Sequence, residues 1–236
     1  MIMRTVLITG GSSGIGLALV KAYLKAGEKV INIDINTPQE QITGEYHFVY
    51  ADLEKIDTLE RVFDEAKSHT KKIDIFIHSA VSSKQPKLKD IDDKVFDEVI
   101  NVNVKSCVLL AKYFANQFYG EDGRIILLSS TRALMSEKET TLYSLSKGAI
   151  ESLTHSLAMT LSESHITVNA IAPGWINTTN EKIRDIDHQF HPSKRVGKVE
   201  DIVKAALYIT DKSNTFFNGQ VITVDGGVTK KMIYPE

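Results

Sequence analysis

The chain has little of several features that would assign a protein to a class. Its 236 residues include one cysteine, Cys107, so no internal disulfide can form. Apolar neighbours make Cys107 a predicted core residue rather than a nucleophile. The net charge of −2 gives no basic field for nucleic acid or an anionic membrane. No apolar run is long enough to span a bilayer, and the residues before the first apolar run are too few for a signal peptide. These absences predict a cytoplasmic globular protein that binds neither nucleic acid nor membrane.

What the chain does contain is a glycine-rich stretch near its start. The run Thr9-Gly10-Gly11-Ser12-Ser13-Gly14-Ile15-Gly16 follows the apolar residues 5–8 and precedes an amphipathic pattern that ends before Gly27. This order predicts a strand, a tight turn and a helix. Glycine lets a backbone approach a phosphate closely, and a helix start offers free N–H groups to it. The stretch predicts a pyrophosphate site; the alternative, left open by its departure from Gly-x-Gly-x-x-Gly spacing, is a simple joining turn.

Short apolar runs alternate with helical patterns along the chain. The predicted strands are 5–8, 29–34, 46–50, 73–78, 124–129, 166–171 and 219–224. The predicted helices are about 14–26, 56–68, 93–118, 140–162 and 201–210. Strands that are apolar on both faces and separated by helices predict an α/β fold, a Rossmann-type doubly wound parallel sheet of about seven strands. We expect one domain over 1–236, with a polar segment, 176–195, placed as a substrate lid or as an ordinary surface excursion.

Asp34 ends the predicted second strand, about 18 residues after the last glycine of the turn. A carboxylate there can accept hydrogen bonds from both ribose hydroxyls of NAD, and it would repel the additional phosphate of NADP. The residues that could offset this repulsion, Ser13, Ile35 and Asn36, are neutral. Asp34 therefore favours NAD over NADP, and the alternative is an aspartate that only begins a turn.

Four polar residues form the predicted catalytic set. Tyr143 and Lys147 lie one helical turn apart, and an ammonium near a phenol favours the phenolate that could exchange a proton with an alcohol or carbonyl. Ser130 ends the fifth strand, where its hydroxyl can bind a substrate oxygen. Asn103 lies inside a predicted helix, where asparagine is unfavourable and needs a functional or packing reason. Taken singly, each has a routine structural interpretation.

In their joint order these motifs resemble the classical short-chain dehydrogenase/reductase family. The resemblance runs from Thr5 to Gly227, and its further elements are Asp52-Leu53, Asn101-Val-Asn103-Val, Pro173-Gly174 with Thr178, and Val224-Asp225-Gly226-Gly227. In such enzymes the tyrosine is the acid/base. The lysine lowers its pKa and binds the nicotinamide ribose, the serine orients the substrate, and the asparagine holds a water in a proton relay. The resemblance carries these roles to Tyr143, Lys147, Ser130 and Asn103.

The same resemblance implies a cofactor site along the glycine turn and the strand ends. The residues that it assigns to the cofactor are Gly10, Ser12, Ser13, Gly14, Ile15, Gly16, Asp34, Asp52, Leu53, Ala80, Tyr143, Lys147, Pro173, Ile176 and Thr178. Of these, Asp52 and Leu53 would face the adenine, and Ile176 and Thr178 the nicotinamide carboxamide. The implied activity is NAD(H)-dependent interconversion of a small secondary alcohol and its carbonyl, with no metal. The alternatives are an NADP-dependent carbonyl reductase and an inactive dinucleotide-binding regulator.

One motif departs from the family pattern. After the fourth strand the family usually has Asn-Asn-Ala-Gly, and this chain has His78-Ser79-Ala80-Val81. We expect His78 to be a structural replacement that hydrogen-bonds locally, because no other histidine or acid completes a triad or a metal site. Val81 adds a β-branched side chain that could narrow the site. This departure is the only support for the inactive alternative.

The two longest predicted helices carry more apolar residues than one sheet face would obviously cover. They are Val95, Val99, Val108, Leu110 and Phe114 in one helix and Ile150, Leu153, Leu157 and Leu161 in the other. Family members are commonly tetramers built on these helices, so we expect a homo-oligomer, a dimer or a tetramer. The substrate pocket would be shaped by 81–89, 131–140 and 176–195, whose mixed charge points weakly to a polar substrate.

Overall fold

Seven parallel strands form the central sheet. This computed structural model describes residues 3–118, 122–179 and 181–232. The strands are β1 Thr5–Thr9, β2 Lys29–Asp34, β3 Tyr46–Tyr50, β4 Ile75–His78, β5 Gly123–Leu128, β6 Ile166–Pro173 and β9 Val221–Val224. Their order in the sheet is β3-β2-β1-β4-β5-β6-β9. The chain runs outward from β1 to β3 and then returns to place β4 on the other side of β1, and a ligand cleft is expected at such a reversal.

Helices cover both faces of the sheet. They are α1 Gly14–Lys25, α2 Leu59–Ser68, α3 Asp93–Ile100, α4 Ser106–Ala115, α5 Thr141–Thr160, α6 Asp185–Phe190 and α7 Val199–Ile209. Two short strands, β7 Ile176–Asn177 and β8 Gly197–Lys198, pair with each other apart from the main sheet. The predicted doubly wound fold is thus confirmed.

The sheet separates two apolar cores. In β1, Leu7 faces the core built with α2, α4 and α5, whereas Val6 and Ile8 face the core built with α1 and α7. Because successive side chains of a strand point to opposite faces, a strand buried on both sides must be apolar throughout, which is why these runs were recognisable in the sequence. Tyr23 fastens α1 to the end of α7 through a 2.7 Å hydrogen bond between its hydroxyl and that of Thr210.

The predicted helix over 93–118 forms as far as Ala115, but it contains a widened turn that was not predicted. The structure has α3, then a π-helical segment, Asn101–Lys105, then α4, which ends at Ala115. The buried amide of Asn103 lies in this segment. Its Oδ1 accepts from the Ser82 backbone N–H at 2.7 Å, and its Nδ2 donates to the Ser82 carbonyl at 3.1 Å and to the Ser146 hydroxyl at 3.0 Å. One widened turn brings this side chain to the loop after β4, and such π-bulges are frequent at functional sites.

The apolar residues of the long helices are largely absorbed by the chain's own core. Val99, Leu110, Phe114 and Ile150 are fully buried there, and Val108 is the one exposed residue among the nine that the sequence analysis named as candidates for an interface. The oligomeric state therefore stays a prediction. Cys107 is buried as expected, and burial raises the pKa of its thiol to about 12.

Two predicted absences concern membranes and metals. Within 3–118, 122–179 and 181–232, none of the helices combines the length and the apolar character that crossing a membrane requires. The same residues include no group of three or more histidine, cysteine, aspartate or glutamate side chains that could hold a metal ion.

Candidate active site

A cleft of about 610 Å³ opens at the carboxyl edge of the sheet, over the reversal between β1 and β4. Most residues predicted for catalysis or cofactor binding line it: Gly10, Ser13, Gly14, Ile15, Gly16, Asp34, Asp52, Leu53, Ala80, Ser130, Tyr143, Lys147, Pro173, Ile176 and Thr178. The fold brings together residues from positions 10 to 178 because parallel strands all end at one edge. Ser12 and Asn103, which were also predicted, do not line the cleft.

Close backbone approach explains the glycines of the turn. Gly10 has φ +70°, and a Cβ placed on it would lie 2.6 Å from the Cα of Ala80 at the end of β4. A Cβ on Gly16 would lie 2.0 Å from the carbonyl oxygen of Gly10. Either side chain would push the turn away from the sheet. The helix that follows, α1, has no side-chain cap and no acidic residue in its first turn, so its N–H groups remain suited to a phosphate.

Two polar residues of β2 hold this turn in place. Asn32 accepts from the Gly11 backbone N–H at 2.9 Å and donates to the Ser12 hydroxyl at 3.0 Å. Asp34 accepts from the backbone N–H groups of Ser12 and Asn36, one on each oxygen and both at 3.0 Å. The carboxylate is therefore fixed at the cleft edge. The side chain of Ser12 is held within the turn, and a contact between Ser12 and the cofactor stays a prediction. Asn32 was not predicted, although it is a polar residue within an apolar strand.

Tyr143, Ser130 and Lys147 meet deeper in the cleft. Burial raises the pKa of the Tyr143 hydroxyl, and its hydrogen bond with Ser130 and the charge of Arg132 oppose that rise. Lys147 Nζ lies 5.6 Å from the centre of the Tyr143 ring and donates to the Leu128 carbonyl at 2.7 Å. Burial lowers the pKa of Lys147 to about 8. Lys147 thus lies one helical turn from Tyr143, as its position in the sequence predicted, and its ammonium donates to a carbonyl of β5. That Lys147 lowers the pKa of Tyr143 stays a prediction.

Arg132 is a charged neighbour of this group that the sequence did not single out. Arg132 lies in a short 3-10 helix, Thr131–Ala133. Its backbone N–H donates a hydrogen bond to the Ser130 hydroxyl at 3.2 Å. Its Nη2 pairs with Glu137 at 2.8 Å. The charge of Arg132 opposes the rise in the Tyr143 pKa, although Arg132 is not among the residues that line the cleft.

His78 stands where the family usually has asparagine, and its buried side chain hydrogen-bonds β4 to β1. Its Nδ1 lies 3.0 Å from the Thr9 hydroxyl, and that oxygen also accepts from the backbone N–H groups of Ser79 and Ala80, each at 3.2 Å. Since the Thr9 oxygen accepts two bonds, its own proton points to Nδ1, which places the ring proton on Nε2. The structure thus agrees with a local structural role, and Ala80 keeps its close contact with the glycine turn.

Lowering the pH tests whether His78 is held neutral in the folded protein, because burial lowers its pKa to about 3. An unfolded histidine has a pKa of about 6.5, so between these values the unfolded chain binds a proton that the folded chain does not. The stability that the neutral ring contributes is complete above about pH 6.5 and falls as the pH drops, by up to about 1.4 kcal/mol per unit. Between about pH 7.5 and about pH 5, we expect the wild type to lose about 2 kcal/mol more unfolding free energy than His78→Asn, measured by urea denaturation.

The control for this measurement is His155→Asn, which changes an exposed histidine of α5. That variant should keep the acid sensitivity of the wild type. If His78→Asn shows the same pH dependence as the wild type, His78 is not held neutral in the fold.

A glycine turn at the sheet reversal, an acid closing β2 and a buried serine–tyrosine–lysine group define a nucleotide-binding oxidoreductase of the Rossmann class. Residues 10–229 match the family model described as Enoyl-(Acyl carrier protein) reductase. An uncharacterized oxidoreductase of Thermotoga maritima is 32% identical over 252 residues, covering 99% of this chain and 98% of that protein. The chain belongs to the classical short-chain dehydrogenase/reductase family, as the motifs predicted.

Solved structures agree with this assignment. An apo SCOR enzyme of Clostridium thermocellum has a TM-score of 0.88 at 32% identity, over 99% of this chain and 96% of that one. A short chain dehydrogenase of Leptospira borgpetersenii with bound NAD+ has a TM-score of 0.89 at 28% identity, over 96% and 93%. The protein is therefore an oxidoreductase by family, related to a protein that binds NAD+.

Proposed function

We propose that this protein is an NAD(H)-dependent dehydrogenase/reductase that interconverts a small secondary alcohol and its carbonyl, with Tyr143 as the acid/base. The observation that supports it most strongly is the convergence, in one cleft, of a fixed Asp34 carboxylate at one end with Ser130, Tyr143 and Lys147 at the other. A bound NAD(H) would supply hydride chemistry between these ends.

The residues of the chain would manage the proton and the geometry. The Ser130 hydroxyl and the Tyr143 hydroxyl would hold the substrate oxygen. In oxidation, Tyr143 as phenolate would take the proton from the hydroxyl oxygen of the alcohol, while the carbon that bears this hydroxyl loses a hydride. In reduction, the Tyr143 phenol would donate its proton to the carbonyl oxygen. Lys147, buried with a pKa of about 8, would contribute positive charge beneath the reacting groups and donate to the ribose.

Asn103 has a narrower role in this proposal than the resemblance implied. Both ends of its side-chain amide are committed to Ser82 and Ser146. We therefore assign to Asn103 the shaping of the widened turn, and its part in a proton relay stays a prediction from the resemblance.

We assign the remaining contacts with the cofactor as the sequence predicted them. Asp52 and Leu53 would face the adenine, Pro173, Ile176 and Thr178 would border the nicotinamide, and α1 would bind the pyrophosphate. The segment 176–195, which contains β7 and α6 and in which Asn180 lies outside the described residues, would form the lid of a single domain. A cytoplasmic homo-oligomer completes the proposal.

Cofactor titration and a substrate screen test the proposal. We expect the purified protein to bind NADH more tightly than NADPH by fluorescence titration, because Asp34 repels a 2′-phosphate. We also expect NAD(H)-linked turnover in a panel of secondary alcohols and the matching ketones. Tighter binding of NADPH would overturn the cofactor assignment, and tight NADH binding without any turnover would favour the inactive regulator.

A further inference from the structure

One carboxylate in the wall of the cleft has no role in the chemistry above. Glu98 lies on α3 and lines the cleft, with 18% of its side chain exposed. Its Oε1 accepts from the Ser82 hydroxyl at 3.2 Å, and its Oε2 accepts from Lys84 Nζ at 2.5 Å. Because both partners belong to the loop after β4, the carboxylate is held in one orientation at the cleft wall.

The Glu98 carboxylate keeps unused capacity as an acceptor. A carboxylate offers about four lone-pair sites, and two hydrogen bonds reach this one from the residues that the structure describes. Glu98 can therefore accept from a further donor that enters the cleft, and such a charge-assisted bond is stronger than a neutral one. An ionised carboxylate donates nothing, so the group that it binds must carry an N–H or O–H.

The packing of the helices places Glu98 near the end of the cleft proposed for the adenine. α2 and α4 lie side by side on one face of the sheet, with the ring centres of Phe63 and Tyr113 5.9 Å apart. The loop that enters α2 carries Asp52 and Leu53, and α3 precedes α4 on the same face. Asp52, Leu53 and Glu98 all line the cleft, so they approach it from neighbouring segments.

Lys84 supports the same location. Its hydrogen bond with Glu98 raises the pKa of its ammonium, and the charge of Glu54, the residue after Leu53, raises that pKa further. The Lys84 side chain is exposed, and water screens distant charges. Glu54, which also lines the cleft, therefore lies close to the Lys84–Glu98 pair.

Adenine presents the donors that this part of the cleft can bind. Its exocyclic 6-amino group carries two N–H groups, and the ring has two apolar faces. Val81 and Val102 line the cleft beside Ser82 and Asn103, which are hydrogen-bonded to each other, and they offer apolar surface for such a ring. The β-branched side chain of Val81, where the family usually has glycine, thus enlarges the apolar wall of the cleft.

We propose that Glu98 is a specificity-determining residue for the base of the dinucleotide, and that its carboxylate accepts a hydrogen bond from the adenine 6-amino group. The second N–H of this amine remains for Asp52. The inference rests on the NAD(H) site of the proposed function and adds no step to the hydride or proton transfer. It makes the cleft selective for a base with an amine at this position, because a carboxylate repels a carbonyl oxygen placed there.

Reduced nicotinamide hypoxanthine dinucleotide is the matched probe. It differs from NADH only in the base, where a carbonyl oxygen replaces the 6-amino group and N1 carries a proton. Fluorescence of the reduced nicotinamide gives the dissociation constants of both compounds without any turnover. We expect the wild type to bind NADH about 30-fold more tightly than the probe, since one hydrogen bond to a charged group contributes a factor of about 10 to 100.

Glu98→Gln tests the contact with the amine. A glutamine amide can accept from an amine through its oxygen and can donate to a carbonyl oxygen through its nitrogen, so the ratio of the two dissociation constants should fall about tenfold. Asp52→Asn should lower the ratio as well, which tests separately whether the base lies at this end. Glu60→Gln, which removes an exposed carboxylate of α2 outside the cleft, is the matched control and should leave the ratio unchanged.

Lys84→Gln separates recognition of the base from an effect on the loop after β4. This variant removes the ion pair but keeps the Glu98 carboxylate. A looser loop should weaken the binding of NADH and of the probe together, so the ratio should stay within about twofold of the wild type. If Lys84→Gln lowers the ratio as much as Glu98→Gln does, Glu98 acts only through the loop and the inference is overturned.

The remaining outcomes distinguish this inference from the proposed function. If Asp52→Asn lowers the ratio and Glu98→Gln leaves it unchanged, the inference fails while the cofactor site stands. If neither variant changes the ratio, the inference fails because the adenine lies elsewhere, and absence of NADH binding would overturn both proposals. If the ratios change as expected while no alcohol or ketone of the screen is turned over, Glu98 keeps its role and the proposed oxidoreductase activity fails.

Discussion

Replacing Tyr143 with phenylalanine should lower kcat by about a thousandfold or more and leave the dissociation constant of NADH within about twofold. The substitution removes one oxygen atom, the only group in the proposal that exchanges a proton with the substrate, and general acid–base catalysis commonly contributes a factor of about 10² to 10⁴. The ring is part of the cleft wall beside Lys147, and phenylalanine keeps its shape. Steady-state kinetics on a substrate from the screen and fluorescence titration of NADH provide the two measurements.

Tyr208→Phe is the matched control for this result. Tyr208 is 59% exposed on α7, outside the residues that line the cleft, so the same loss of a hydroxyl should leave kcat unchanged. Retention of most of the turnover by Tyr143→Phe would remove Tyr143 from the proton transfer. A parallel loss of NADH binding would instead assign it mainly to the cofactor site.

Changing Asp34 to serine together with Ile35 to arginine should reverse the cofactor preference. Asp34 is held at the cleft edge by two backbone N–H groups, where a 2′-phosphate would meet its charge. The exposed Ile35 side chain lies next to it on the cleft wall, so an arginine there can reach the same phosphate. Removing one repulsion and adding one charge-assisted bond predicts a change of about 100-fold or more in the ratio of the NADH and NADPH dissociation constants.

The single changes divide this effect into its parts. Ile35→Arg alone should strengthen NADPH binding and leave NADH binding nearly unchanged, since Asp34 still serves the ribose. Asp34→Ser alone should weaken NADH binding and also loosen the glycine turn, because Ser12 loses the acceptor of its N–H group. An unchanged ratio in the double variant would mean that the ribose does not lie at Asp34.

The sheet and most of the cleft were predictable because their signals are local. A strand such as β1 must be apolar throughout when both faces are buried, and the glycine turn and Asp34 follow their strands directly in sequence. Parallel strands then deliver these residues to one edge.

The features that sequence reasoning missed depend on contacts between distant segments. The amide of Asn103 was recognised as unusual, but its partner Ser82 lies 21 residues earlier, so the widened turn could not be foreseen from helical periodicity. In the same way, the direction of the Lys147 ammonium is fixed by a carbonyl of β5 rather than by its own helix. Arg132 was one charge in a segment of mixed charge, and only the fold shows that its charge acts on the pKa of Tyr143.

The Asn103 amide has a mechanical consequence. The loop that leaves β4 at the edge of the cleft and the helix that carries Tyr143 are both hydrogen-bonded to this one side chain. Displacement of one is therefore transmitted to the other without any contact between cofactor and tyrosine. Substitutions around Ser82 would then lower kcat, although they lie on the side of the cleft proposed for the cofactor. A variant designed to alter cofactor affinity alone would need to keep the hydrogen bonds of the Asn103 amide.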